Sequence, residues 1–153
     1  MKIYTRNGDE GETGLLYEGK VSKSSSLPEA YGTVDEAQAI LGLVRTECEK
    51  GSDLEEKIIH IERDLYVLMA ELATDPSKHD KLKPGKSKVN GEMIKFLENF
   101  IDEITSNFEL PKEFVLPGQN RISALLDISR TVVRRAERRA IARNIEGSLA
   151  VPY

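Results

Sequence analysis

Apolar residues recur at the three- and four-residue spacing of an amphipathic helix in four separate stretches of the chain. From Pro28 to Lys50, one face collects Ala30, Val34, Ala37, Leu41, Val44 and Cys48. Pro28 suits a first turn, Ser26 a cap and Gly51 an end. From Asp53 to Thr74 the stripe is Ile58, Ile61, Leu65, Leu68, Met69 and Leu72, led by the capping-box pair Ser52 and Glu55. From Gly91 to Asn107 it is Ile94, Leu97, Ile101 and Ile104, with Asn90 as cap. The fourth helix follows "LPGQN" and runs to Glu146, ended by Gly147. Ile122, Leu125, Leu126, Val132, Val133, Ala136 and Ala140 share its apolar face. No stretch alternates as a strand would, and "DPSKHDKLKPGKSKV" reads as an exposed, mobile connection. Long helices with mostly short joints predict an all-α, up-and-down helical bundle behind an extended N-terminal glycine-rich loop.

A chain of 153 residues with 39% hydrophobic residues suits a single domain, 1–153, with one self-sufficient core. The net charge of -4 argues against recruitment of nucleic acid or an anionic membrane by a global field. Cys48 is the only cysteine, so an internal disulfide is impossible and a cytoplasmic location is expected. Its place on an apolar stripe favours packing over nucleophilic chemistry. The start Met1-Lys2-Ile3-Tyr4 lacks the apolar run of a signal peptide, and no segment has the length of a membrane span. His60 and His79 lie far apart without cysteine partners, which argues against structural zinc.

Two stretches carry candidate chemistry. "YTRNGDEGETGLL" places Gly8, Gly11 and Gly14 at three-residue spacing among Thr5, Arg6, Asp9 and Thr13. Backbone N–H groups of such a turn can cradle phosphate oxygens, threonine hydroxyls add donors, and Asp9 can hold Mg²⁺ directly or through water. The loop is no Walker A sequence, since no Lys-Ser/Thr follows "GDEGETG", and it lacks the strand and helix of a dinucleotide fold. Standing alone, it is better read as a flexible N-terminal tail with turns. In "SRTVVRRAERRAIAR", Arg130, Arg134 and Arg138 form an i, i+4, i+8 stripe with Glu137 beside the apolar face, while Arg135, Arg139 and Arg143 line its opposite border. A solvated basic face or a weak RNA-binding patch is one reading. The other is a local phosphate site, because guanidinium forks hold phosphate oxygens bidentately. Glu137 can then orient an arginine or bind a hydrated cation. Asp35 lies off its stripe, as a surface carboxylate or as the partner of an arginine across an interface.

Three motifs in order, "YTRNGDEGETGLL", then "VSK" with "EAYGTVDE", then "FVLPGQNRISALLDISRTVVRRAERR", make the chain resemble the PduO-type ATP:cob(I)alamin adenosyltransferases. The resemblance implies a five-helix bundle, of which four helices are readable before the chain stops at "VPY". It also implies a homotrimer with active sites between subunits. The reaction it implies is transfer of the 5'-deoxyadenosyl group of ATP to cobalamin, with Mg²⁺ accompanying ATP and a reductase or other donor supplying electrons to cobalt. ATP would lie against Thr5, Arg6, Gly8, Thr13 and Lys23 of one subunit, with Asp9 and Gly11 in the same loop. The neighbour would supply Arg134, Arg135, Glu137 and Arg138, with Glu137 as a possible Mg²⁺ ligand. Arg130 and Asp35 match an inter-subunit salt bridge beside the corrin, and Phe114 matches the aromatic crowding cobalamin's lower face. Asp35, Phe114, Arg130 and Arg134 form the expected catalytic set. Without the resemblance, Phe114 reads as a core residue capping the fourth helix. The chain departs from the family at Ala37 and Gln38, where Leu and Asn are common, and at Gln119, where glycine is common. The competing readings are a non-enzymatic ATP- or RNA-binding helical module, and a nucleotide-dependent transferase with another acceptor.

Overall fold

The computed structural model describes residues 4–147, with side chains described as far as Arg143. Residues 1–3 and 148–153, including the "VPY" end beyond which the resemblance expects another helix, lie outside the described residues. In chain order the elements are β1 (Glu12–Gly14), β2 (Lys20–Ser22), α1 (Ser26–Glu47), α2 (Asp53–Leu72), a 3-10 helix (Pro76–Lys81), α3 (Gly91–Thr105) and α4 (Arg121–Gly147).

Local chemistry sets the helix ends. Asn90 caps α3 by accepting from the N–H groups of Glu92 and Met93 at 3.1 and 3.2 Å. Ser52 accepts from Glu55 N–H at 3.3 Å, while the Glu55 carboxylate takes the N–H of Gly51 at 2.6 Å. The predicted capping box is therefore shifted by one residue on its return arm. α4 opens with a reciprocal pair: Ser123 N–H donates to Asn120 Oδ1 at 2.9 Å, and Asn120 N–H donates to Ser123 Oγ at 3.2 Å. α1 sits earlier than expected. Ser26 is already helical behind Ser25, and the helix ends at Glu47 because Cys48 turns extended.

The core forms where α1 meets α2 and α4. Ala30 and Val34 pack with Leu72, Ala136 and Ala140. Further along α1, Leu41 and Val44 pack with Ile58, Ile122 and Leu125. Alanines on both helices let α1 and α4 approach closely. Ion pairs run along that seam as Glu29–Arg139 (3.0 Å), Glu36–Arg135 and Glu47–Arg121 (2.8 Å). Descending partner numbers in both contact sets make α1 antiparallel to α2 and to α4. On α2, Lys57 meets Glu103 at 2.7 Å, and His60 stacks on Phe96 with ring centroids 3.7 Å apart. α3 is thus antiparallel to α2, and the up-and-down order holds.

Three local expectations are corrected. α3 has no fully buried residue: Leu97, Ile101 and Ile104 of its apolar stripe are exposed, and it leans on α2 through Phe96 and Phe100 at the stripe's flank. The stretch after α2 is pinned rather than free. Asp75 accepts from Ser77 N–H and Oγ–H at 2.9 and 2.6 Å, Leu82 and Ser87 are buried, and Val89 N–H donates to Glu71 at 2.7 Å. The N-terminal loop also contains a small antiparallel hairpin, Glu12–Gly14 on Lys20–Ser22, with Thr13 opposite Val21. Strands of three residues are too short to show alternation.

Candidate active site

The N-terminal loop is a pair of turns closed by Lys23. Asp9 N–H donates to Arg6 O at 3.3 Å and Gly11 N–H to Gly8 O at 3.2 Å. Arg6 (φ 62) and Gly11 (φ 82) both take left-handed backbone, which Gly11 does without steric cost. The hairpin then returns the chain, so that Lys23 N–H donates to Gly11 O at 2.8 Å and Lys23 Nζ to Gly8 O at 2.6 Å. Gly8 gives room for that approach: a Cβ there would stand 2.9 Å from Lys23 Nζ, and the end of the lysine would have to shift. These bonds join Arg6, Gly8, Asp9, Gly11 and Lys23 into one mostly exposed cradle, with Thr5 just before it and Thr13 just after it in β1, opposite Val21.

On α4, Arg130, Arg134, Glu137 and Arg138 are all exposed. Arg138 Nη1 donates to Arg134 O at 3.0 Å, and Arg130 pairs with Asp127 one turn earlier at 3.3 Å. Arg134 and Glu137 form no ion pair among the described residues, which leaves a free guanidinium and a free carboxylate on one border of the helix. The opposite border does not match the reading of the helix as a wholly solvated basic face. Arg135 and Arg139 pair with Glu36 and Glu29 of α1, and Arg143 is 3% exposed, donating to Thr74 O at 2.8 Å. Arg143 lies three residues after Ala140 and seven after Ala136, so it continues the buried stripe. Among the described residues, the cradle and the arginine stripe make no hydrogen bond or ion pair with each other.

Asp35 is exposed on α1 beside an open cavity of about 590 Å³ lined also by Gln38, Arg45, Glu62, Arg63 and Tyr66. Arg45 and Glu62 pair across it at 2.7 Å. Arg130 takes Asp127, not Asp35, as its partner within the chain. Phe114 is wholly exposed, flanked by exposed Val115 and Leu116, which overturns its reading as a core cap of α4. Three neighbouring apolar side chains in water form the kind of patch that marks a contact surface. Cys48 is half-buried with its thiol donating to Val44 O at 3.4 Å, and burial, with Glu55 nearby, pushes its pKa up. No group of three or more His, Cys, Asp or Glu among the described residues is arranged to hold a metal. Asp9 and Glu137 are single exposed carboxylates, which fits Mg²⁺ that keeps its waters and arrives on phosphates.

Sequence reasoning missed Lys78, whose Nζ donates to Tyr17 O at 2.8 Å and Glu18 O at 3.3 Å. No local signal marks it, since its partners lie 61 and 60 residues away. Arg143 was within reach of the helical wheel, had the Ala136–Ala140 stripe been carried one turn further.

A family model described as cobalamin adenosyltransferase matches residues 3–151. The chain is 38% identical to a corrinoid adenosyltransferase of Bacillus subtilis over 145 residues, covering 93% of this chain and 72% of that protein. It is 39% identical over 141 residues to a corrinoid adenosyltransferase of Citrobacter freundii, covering 92% and 78%. Among solved structures, it resembles a variant PduO-type ATP:corrinoid adenosyltransferase from Lactobacillus reuteri complexed with cobalamin and ATP. That match has a TM-score of 0.84 and 29% identity, and covers 97% of this chain and 81% of that one. With the family pattern spanning residues 3–151 and the fold matched along nearly the whole chain, the protein belongs to the PduO-type cobalamin adenosyltransferase family.

Proposed function

We propose that this protein transfers the 5'-deoxyadenosyl group of ATP to cob(I)alamin, giving adenosylcobalamin and triphosphate. The observation that carries this reading is a lysine-closed glycine loop together with an exposed arginine stripe, in which Arg134 forms no ion pair among the described residues, in one chain of this family. The cobalt lone pair attacks C5', the Co–C bond forms, and the C5'–O bond breaks with its electrons leaving on triphosphate. Co(I) needs no base to activate it. The protein's tasks are to hold C5' in line and to stabilise the departing charge, each a source of several kcal/mol.

Thr5, Arg6, Gly8, Asp9, Gly11, Thr13 and Lys23 bind the nucleotide from one side in this reading. Arg134, Arg135, Glu137 and Arg138 close it from the other. Cradle and stripe make no hydrogen bond or ion pair with each other among the described residues, which supports a site shared between subunits, and in this reading the assembly is the homotrimer that the family resemblance implies. Arg135 keeps one face of its fork on Glu36 and has further N–H donors for phosphate. Mg²⁺, held by the phosphates with Asp9 or Glu137, supplies charge neutralisation when bound. Asp35 and a neighbour's Arg130 pair beside the corrin, where Arg130 exchanges Asp127 for the partner. Phe114 covers the lower face of cobalamin and coordinates nothing, which makes Co(II) easier to reduce. A reductase or another donor supplies the electron. No helix among the described residues is long and apolar enough to cross a membrane. We assign the reaction to the cytoplasm, in keeping with the lone Cys48.

The test is direct. Protein, Mg-ATP and chemically reduced cobalamin are mixed, and the absorption spectrum of adenosylcobalamin is followed. Its appearance separates this enzyme from a nucleotide- or RNA-binding module and from a transferase with another acceptor; its absence overturns the reading. Sedimentation of a fully active monomer would refute the inter-subunit site.

A further inference from the structure

The hairpin that carries the cradle ends in an unfavourable turn. Tyr17, Glu18 and Gly19 have φ of 61, 74 and 113°, so two consecutive residues with side chains sit in left-handed backbone. Such strain persists only where the surroundings over-determine it, and functional loops are where it gathers. The surroundings here are specific. Leu15 N–H closes the turn on Gly19 O at 3.0 Å. The Lys78 ammonium binds the carbonyls of both strained residues, and Tyr17 Oη lies 3.5 Å from Ser87 Oγ.

One step back along the chain, Leu16 N–H donates to Ala73 O at 2.9 Å and Leu16 pairs with Thr74. Thr74 is fully buried, and its carbonyl accepts from Arg143 Nη2 at 2.8 Å, with His79 Nε2 at 3.3 Å. Arg143 forms no ion pair among the described residues; Glu71 and Asp75 act on it only at longer range. A buried guanidinium without a paired carboxylate is a poor choice for packing alone, since desolvation opposes it. What it does here is fix the strand-like segment on which the hairpin hangs. β1 begins one residue after Gly11 and Lys23 follows β2, so a shift of the hairpin moves the whole cradle.

We propose that Arg143 and Lys78 are positioning residues for the nucleotide. They hold the root of the loop and thereby set where Thr5, Gly8 and Lys23 meet the phosphates. The proposal rests on the reading that this loop binds ATP. It also places the root of one cradle on the same helix as the arginine stripe, five residues beyond Arg138.

The experiment is steady-state adenosylation by wild type, Lys78→Met and Arg143→Lys, with KM measured separately for Mg-ATP and for reduced cobalamin. Thermal unfolding and hydrogen exchange of the Leu16 amide accompany it. Both variants should raise KM for Mg-ATP about tenfold, the size of one charge-assisted hydrogen bond, with KM for cobalamin within about twofold of wild type. Leu16 exchange should quicken. A lower melting temperature with KM for Mg-ATP unchanged would mean a merely structural role and overturn the proposal. Should Arg143→Lys not fold, Lys78→Met decides, because Lys78 sits at the surface rim of the same latch. Wild type that makes no adenosylcobalamin and binds no Mg-ATP overturns the functional reading itself. An active wild type with variants of unchanged KM overturns only the positioning role.

Discussion

Replacing Gly8 by alanine tests the cradle with one methyl group. Its Cβ would lie 2.9 Å from Lys23 Nζ, 3.1 Å from Lys23 Cε and 3.2 Å from Glu12 O. Unstrained contacts of this kind need about 3.5 Å, so the ammonium must retreat by roughly 0.6 Å. Its present bond to Gly8 O is 2.6 Å, and a retreat of that size takes it to the edge of hydrogen-bonding distance. A charge-assisted bond contributes about 1.5–3 kcal/mol, and solvent screening at an exposed site brings this to about 1 kcal/mol. That corresponds to about a fivefold rise in KM for Mg-ATP. The Glu12 carbonyl belongs to β1 and yields less readily than the lysine, so any further strain adds to the effect. The melting temperature should hardly move, because the loop lies outside the α1–α2–α4 core. Gly14→Ala is the control: nothing lies within 4 Å of its would-be Cβ, and its φ is not left-handed. The assay is adenosylcobalamin formation with preformed Co(I) across a range of Mg-ATP. Wild-type KM in Gly8→Ala, or an equal effect in Gly14→Ala, would refute the reasoning.

Arg134→Ala should keep its fold, as an exposed helical position accepts alanine readily, and lose roughly ten- to a hundredfold in kcat/KM for Mg-ATP; wild-type rates at limiting ATP would sink the phosphate assignment. Phe114→Ala should be as stable as wild type, because the side chain is wholly exposed, and should still bind Mg-ATP. It should lose most turnover when Co(II) must be reduced on the protein, recover partly with preformed Co(I), and show depleted four-coordinate Co(II) in its absorption spectrum; normal accumulation of that species rules Phe114 out as the displacing group. Bonds from the Ser77 hydroxyl and N–H hold the Asp75 carboxyl below its ordinary value. Its contribution to stability is therefore present above an unfolded pKa of about 3.9 and lost as pH falls through the lower folded value. Asp75→Asn keeps an acceptor but removes that titration, so acid denaturation followed by circular dichroism should show a shallower limb below about pH 4, and an unchanged limb refutes the argument.

The four helices were legible because apolar periodicity reports burial of one face. α3 marks the limit of that inference. Leu97, Ile101 and Ile104 have the right spacing, yet spacing cannot say whether a neighbour covers them, and among the described residues none buries them. The cradle was legible as a composition and the arginine stripe as a wheel position, since both lie within one short stretch. The hairpin was not, because three-residue strands carry no alternation and their pairing depends on a turn with φ values that Tyr17 and Glu18 do not advertise. Arg143 looked like one more surface arginine because charge outweighed position in the reading. Position prevailed in the fold, where the Thr74 carbonyl offered it a partner.

The docking of Tyr17 on Lys78, 61 residues later, and of Thr74 on Arg143, 69 residues later, bears on the order in which the molecule comes into being. Closing such long loops is slow compared with forming a helix. The cradle precedes these partners in the sequence, and the long-range contacts to its root form only once α2, the 3-10 helix and the far part of α4 have packed. Residues early in the sequence are thus among the last to be fixed in place. A chain cut short of Arg143 would carry the N-terminal loop without the contact that fixes its root, so in the proposed reading nucleotide capture reports that α4 has formed as far as Arg143.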